Sequence, residues 1–142
     1  MAFGIGVLLS LAVAGFGRLV GFDRDRAFYA TVLMVVASYY VLFAVMGGGG
    51  PVLVAELIGM SVFVAAAVLG FKASPWLVAA GLVGHGVFDS FHGRVITNTG
   101  MPAWWPGFCG SYDIGAGLIL AWLLWQERKS GRRRQAAAGA GV

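Results

Sequence analysis

Two histidines and an aspartate lie close together in one apolar stretch, Gly84-His85-Gly86-Val87-Phe88-Asp89-Ser90-Phe91-His92. His85, Asp89 and His92 stand at i, i+4 and i+7, a spacing that puts all three on one face if the stretch is helical. Two imidazoles and a carboxylate form a ligand set for a divalent metal, zinc first and non-haem iron second, with coordination positions left for water or substrate. The spacing is not the His-Glu-x-x-His of zincins. Asp89-x-x-His92 has no second copy in the chain, which di-iron bundles need. Without a metal, the same groups would serve as a proton relay, or as a structural network in which Asp89 accepts hydrogen bonds from the histidines.

Glu56 and Asp113 are the candidate acid/base groups. A carboxylate more than a turn inside an apolar segment must be paired or protonated. For Glu56 the natural partners are His85 and His92, with Glu56 acting as ligand, orienting group or general base. A bond to Tyr39 or Tyr40 that merely ties helices together is the plainer alternative. Asp113 would complete a metal shell or act as acid or base, though the helix dipole alone also favours an acid in a first turn. Cys109 could be a soft ligand, but a lone cysteine beside Phe108 reads more readily as a small hydrophobe. Tyr39, Tyr40, Arg94, Trp104 and Trp105 are candidate substrate contacts. Arg94 suits an anionic headgroup or a snorkelled position at the interface, and the paired tryptophans suit a lid or an interfacial belt.

The elements that must carry these groups are membrane-spanning. The chain has 142 residues, 59% of them apolar and 11% charged, with a mean hydropathy of +0.83. A soluble domain carries about 25% charged residues, so the composition defines an all-α integral membrane protein. Ala2–Val20, Ala27–Met46, Val52–Gly70, Pro75–His92 and Phe108–Trp125 each approach the ~20 residues that cross a ~30 Å hydrocarbon core. The expected architecture is a single bundle of five transmembrane helices over residues 1–129. A long outer interfacial loop joins the fourth to the fifth, and residues 130–142 form a basic cytoplasmic tail without regular structure. The separators are Asp23-Arg24-Asp25-Arg26, the flexible Gly47–Gly50 before Pro51, and Phe71–Ser74; Ser74-Pro75 reads as an N-cap followed by the first helical residue.

Ala12-Val13-Ala14 has the small residues of a signal-peptide cleavage site, but no basic region precedes it, and the segment is read as uncleaved. Gly15-Phe16-Gly17-Arg18 follows no strand and is not a dinucleotide motif. The net charge of +4 is concentrated in Arg128–Arg134, directly after a membrane segment and without a nucleic-acid-binding motif, so nucleic acid is not an expected partner. A single cysteine allows no disulfide within the chain.

With five spans, Arg18, Arg24, Arg26, Lys72 and the basic tail share one side and leave only Arg94 on the other. The positive-inside rule then puts this multi-pass protein in the cell membrane with its N-terminus outside and its C-terminus in the cytoplasm. On that orientation the polar residues of four segments meet in the outer leaflet. Hydrolysis of a lipid-like or amphiphilic small molecule, entering from the membrane lipid to a metal-bound water, is the leading expectation. A metal-free proton relay, a transporter or channel component, and an interaction protein with a structural polar cluster are the alternatives. The glycine-rich faces of the first and fourth segments suit a homodimer. Outer-leaflet His, Asp and Ser residues on several helices are similar in plan to membrane-embedded metal hydrolases of the alkaline ceramidase kind; the spacing aligns with no motif of theirs, and no residue role is taken from them.

Overall fold

The computed structural model describes residues 1–47 and 49–139. Gly48, in the expected glycine linker, and residues 140–142, at the end of the expected tail, lie outside the described residues. The described backbone is helical, without strands: α1 (Ala2–Val20), a 3-10 turn (Phe22–Arg24), α2 (Arg26–Met46), α3 (Pro51–Lys72), α4 (Pro75–Asp89), the short α5 (His92–Val95) and α6 (Trp105–Gly139). Four of these helices, α1, α2, α3 and α6, are long and apolar enough to cross a membrane.

The expected fourth span is not one continuous helix. α4 has 15 residues and at the α-helical rise reaches about 22 Å, short of the ~30 Å of a hydrocarbon core. It stops at Asp89, and the chain turns through Ser90 and Phe91, whose N–H groups bond back three residues to the carbonyls of Val87 and Phe88. The chain becomes helical again at His92. A helix continued through His92 would have kept its imidazole on the stripe of His85 and Asp89; the break lets it turn to Glu56 on α3 instead.

Local chemistry accounts for the other joints. Gly21 ends α1 in the left-handed region at φ 89°, where it donates to the Gly17 carbonyl, a conformation that glycine adopts without steric cost. Asp25 caps α2 by accepting from the Ala27 N–H at 2.9 Å. Pro51 and Pro75 occupy the first turns of α3 and α4. Ser74 sits at the N-cap of α4 but makes no side-chain capping bond. At the other end of the chain, helix continues through the segment expected to lack regular structure, with Arg128, Arg132, Arg133 and Arg134 exposed. Arg128 lies over the ring of Trp76 and Lys129 over that of Trp125.

α6 packs against α1 and α4, while α2 packs on α3 and α3 on α4. Small residues make the α6 contacts close. A Cβ on Gly86 of α4 would stand 2.6 Å from the carbonyl oxygen of Gly110 on α6. Gly6 of α1 lies against Ser111 and the Phe108 carbonyl, and the Ser111 hydroxyl donates to the Phe3 carbonyl at 2.9 Å. Leu33, Ala67, Val78 and Leu82 are fully enclosed, whereas Phe3, Leu8, Ile58, Val62 and Leu69 are exposed, an outer surface suited to lipid.

Candidate functional site

The short connections make α2, α3, α4 and α6 alternate in direction, so the end of α2, the start of α3, the end of α4 and the start of α6 meet at one end of the bundle. Two pairs of residues spaced i, i+4 face each other there: His85 and Asp89 on α4, and Cys109 and Asp113 on α6. The glycine contact between Gly86 and Gly110 brings the two helices close enough for the pairs to meet. All four residues are buried, with Asp113 at 0% exposure. One ligating atom from each lies within 4.8 Å of the others, an arrangement that could hold a metal ion.

Asp113 is the hub of this group. Its Oδ2 lies 2.7 Å from His85 Nδ1 and accepts from Cys109 Sγ at 3.5 Å. Asp89 Oδ1 accepts from the Tyr40 hydroxyl at 2.6 Å and stands 3.8 Å from His85 Nδ1. Asp89 Oδ2 and Asp113 Oδ1 are buried without a hydrogen-bond partner among the described residues. A buried carboxylate oxygen left bare costs stability unless a proton or cation meets it.

A second buried set adjoins the first across Tyr40. His92 Nε2 lies 3.0 and 3.1 Å from the two oxygens of Glu56. Asn98 donates to Glu56 Oε1 at 2.8 Å and to the Tyr40 carbonyl at 3.0 Å. The carboxylate calls for the imidazole hydrogen on Nε2, which leaves Nδ1 of His92 as a lone-pair acceptor. That Nδ1 is buried and has no partner among the described residues. The Tyr40 ring stacks on His92 with centroids 4.0 Å apart and lies 5.9 Å from His85, while Phe63 meets His85 and Phe88 meets His92 edge to face. The two histidines therefore share one aromatic enclosure and have different carboxylate partners.

The structure brings most of the expected site residues to one place but divides them differently. His85 and Asp89 stay together, and Asp113 joins them as a direct neighbour. His92 falls outside the four-residue group, because its ring is held by Glu56. Glu56 has the histidine partner expected of it. Tyr40 is buried and bonded to Asp89, while Tyr39 packs on Trp105 at 4.9 Å. Trp104 is 55% exposed; Arg94 is exposed and makes no ion pair among the described residues. One member was missed: Asn98, the only asparagine in the chain, gave no local signal in its loop. Cys109, weighed as a soft ligand but read as a hydrophobe, stands in an i, i+4 relation to Asp113 and bonds to it, which favours the first alternative.

No family model, curated protein or solved structure matches the chain.

Proposed function

We propose that the protein is a small membrane-embedded, metal-dependent hydrolase acting on an amphiphilic substrate, with His85, Asp89, Cys109 and Asp113 as the metal centre. What supports this reading is the pair of bare carboxylate oxygens, Asp89 Oδ2 and Asp113 Oδ1, beside an imidazole and a thiol in the buried interior. A proton relay or structural network would leave fewer acceptors unmet. The donor set of one nitrogen, one sulfur and carboxylate oxygens suits zinc, with iron as the second choice. Such a metal supplies a Lewis acid and an activated water. His85, Asp89, Cys109 and Asp113 would hold the metal, and a catalytic site of this kind would keep a position for water or substrate.

Hydrolysis places the hydroxyl of water on the acyl or phosphoryl centre, breaks the bond to the leaving oxygen or nitrogen and returns a proton to that atom. His92 Nδ1, backed by Glu56, is suited to carrying that proton. Tyr40 holds Asp89 and packs the His92 ring in place.

Orientation belongs to the same proposal. α3 starts and α6 starts at the site end, so the chain must return across the bilayer between Lys72 and Trp105, with α4 making most of that passage. Five passages put the termini on opposite sides, and the basic tail assigns the C-terminus to the cytoplasm. The site then lies at the level of the outer leaflet.

The experiment is metal analysis joined to turnover. Detergent-purified protein is expected to contain near-stoichiometric zinc or iron and to cleave ester, amide or phosphoester lipids in a way that chelation stops and added metal restores. His85→Ala should abolish both. Wild-type protein that binds no metal after loading would overturn the metal centre and favour a relay of the same groups.

A further inference from the structure

The metal-capable group is sealed, so a substrate needs a way in. α1 and α2 touch beside their connecting turn, where a Cβ on Gly17 would stand 3.1 Å from the Phe28 ring. Above that contact they diverge, because α1 leans on α6 through Gly6 and Ser111 while α2 packs on α3. The wedge between them is a groove of about 530 Å³, within the ~300–1,000 Å³ of small-molecule sites. Its walls are apolar side chains such as Val13, Phe28, Val32 and Val35, and its upper end is formed by Tyr39 and Trp105. Its floor is α6, and one floor residue is Cys109, which is bonded to Asp113.

We propose that this groove is a lateral port that holds a single hydrocarbon chain of a membrane lipid, with the chain between α1 and α2 and the polar end against Cys109 and Trp105. Three observations choose this occupant. The groove opens beside the exposed apolar residues of α1, including Leu8, Leu11 and Phe16, so the medium at its mouth is lipid. From Phe28 to Tyr39 it follows about three turns of α2, an elongated shape that fits a chain better than a compact ring. The indole N–H of Trp105 at its upper end is buried without a partner among the described residues, a donor for an ester or headgroup oxygen. The placing of the polar end rests on the proposed metal centre; the chain slot itself does not.

The test uses full-length protein in phospholipid nanodiscs containing a trace of palmitic acid with a terminal diazirine, irradiated and mapped by peptide mass spectrometry. Adducts are expected to concentrate on Val13, Phe28 and Val32, and to fall several-fold with excess unlabelled palmitate. Val35→Trp, at a site that is already half exposed, should cause the same fall, while Ile58→Trp on the outward face of α3 should not. Val32→Trp is the second groove-filling variant should Val35→Trp fail to fold. Adducts spread over Phe3, Ile58 and Val62 in proportion to exposure, or not displaced by competitor, would reduce the groove to ordinary lipid-facing surface and overturn the proposal. Asp113→Asn separates the two readings, because it should lose metal yet keep groove labelling. Groove labelling in wild-type protein that binds no metal would sink the metal centre alone, and metal binding without groove labelling would sink the port alone.

Discussion

His85 on α4 and Asp113 on α6, 28 positions apart in the chain, are joined at 2.7 Å in the closed interior of the bundle. The same Asp113 oxygen also accepts from Cys109, so one carboxylate connects both helices at the centre of the metal-capable group. If this group is the metal centre, its ligands separate cleanly from the second histidine. His85→Ala and Asp113→Asn are expected to purify with background metal by plasma mass spectrometry. His92→Ala should keep its metal, with affinity weakened by no more than the ~10–100-fold typical of groups outside the ligand shell. Loss of metal in His92→Ala as complete as in His85→Ala would mean that the histidines act together, as their spacing in sequence first suggests.

The Glu56–His92 pair carries a different kind of consequence. Glu56→Ala leaves two buried donors, on His92 Nε2 and Asn98 Nδ2, without their shared acceptor, and each buried donor left unsatisfied costs about 1–3 kcal/mol. Tyr40→Phe removes one hydroxyl bond to Asp89 while keeping the ring that covers His92. Single hydrogen bonds inside membrane bundles are worth about 1 kcal/mol. The expected order of destabilisation, read from the midpoint of unfolding in mixed detergent and SDS micelles, is therefore Glu56→Ala well ahead of Tyr40→Phe. A reversed order would show that the tyrosine hydroxyl, not the dyad, holds this end of the bundle together.

What could be read from the chain alone follows from the range of each interaction. Helix positions were legible because ~20-residue apolar runs and their Pro, Gly and charged separators are local signals. The gathering of Glu56, His85, Asp89, His92 and Asp113 was legible because lipid does not tolerate such groups apart. The break after Asp89 was not. No proline or isolated polar run marks Ser90-Phe91, and the turn serves a bond from His92 to Glu56, 36 positions away. The place of Cys109 was only partly legible for the opposite reason: alone it offers a soft ligand but reads more readily as a hydrophobe, and only the facing pair on α4 makes its thiol part of a cluster.

The glycine contact between α4 and α6 should control the site without supplying any ligand. A side chain at Gly86 would press on the Gly110 carbonyl at 2.6 Å and on Ile114 at 2.8 Å; both belong to the helix that carries Cys109 and Asp113. Gly86→Val is expected to force the helices apart, raise the reactivity of the buried Cys109 toward maleimide several-fold in detergent, and lower metal content. Gly84→Val, at a position with open space around it, is the control. Equal maleimide rates in both variants would mean that the close approach is not what seals the cluster.

Topology can be tested with engineered thiols, because the native Cys109 is only 2% exposed and should label poorly from either side. Ala103, in the loop before α6, and Ser130, on the charged extension of α6, are both exposed and lie on either side of the apolar part of the longest helix. If basic residues set the orientation, Ala103→Cys should react with an impermeant maleimide in intact cells. Ser130→Cys should react only after the membrane is opened. The two sites are more than 20 residues of helix apart, about 40 Å along its axis, too far for both to reach the same face. The reverse pattern would move the cluster to the cytoplasmic leaflet, leaving its internal geometry intact but changing which lipids can reach the groove.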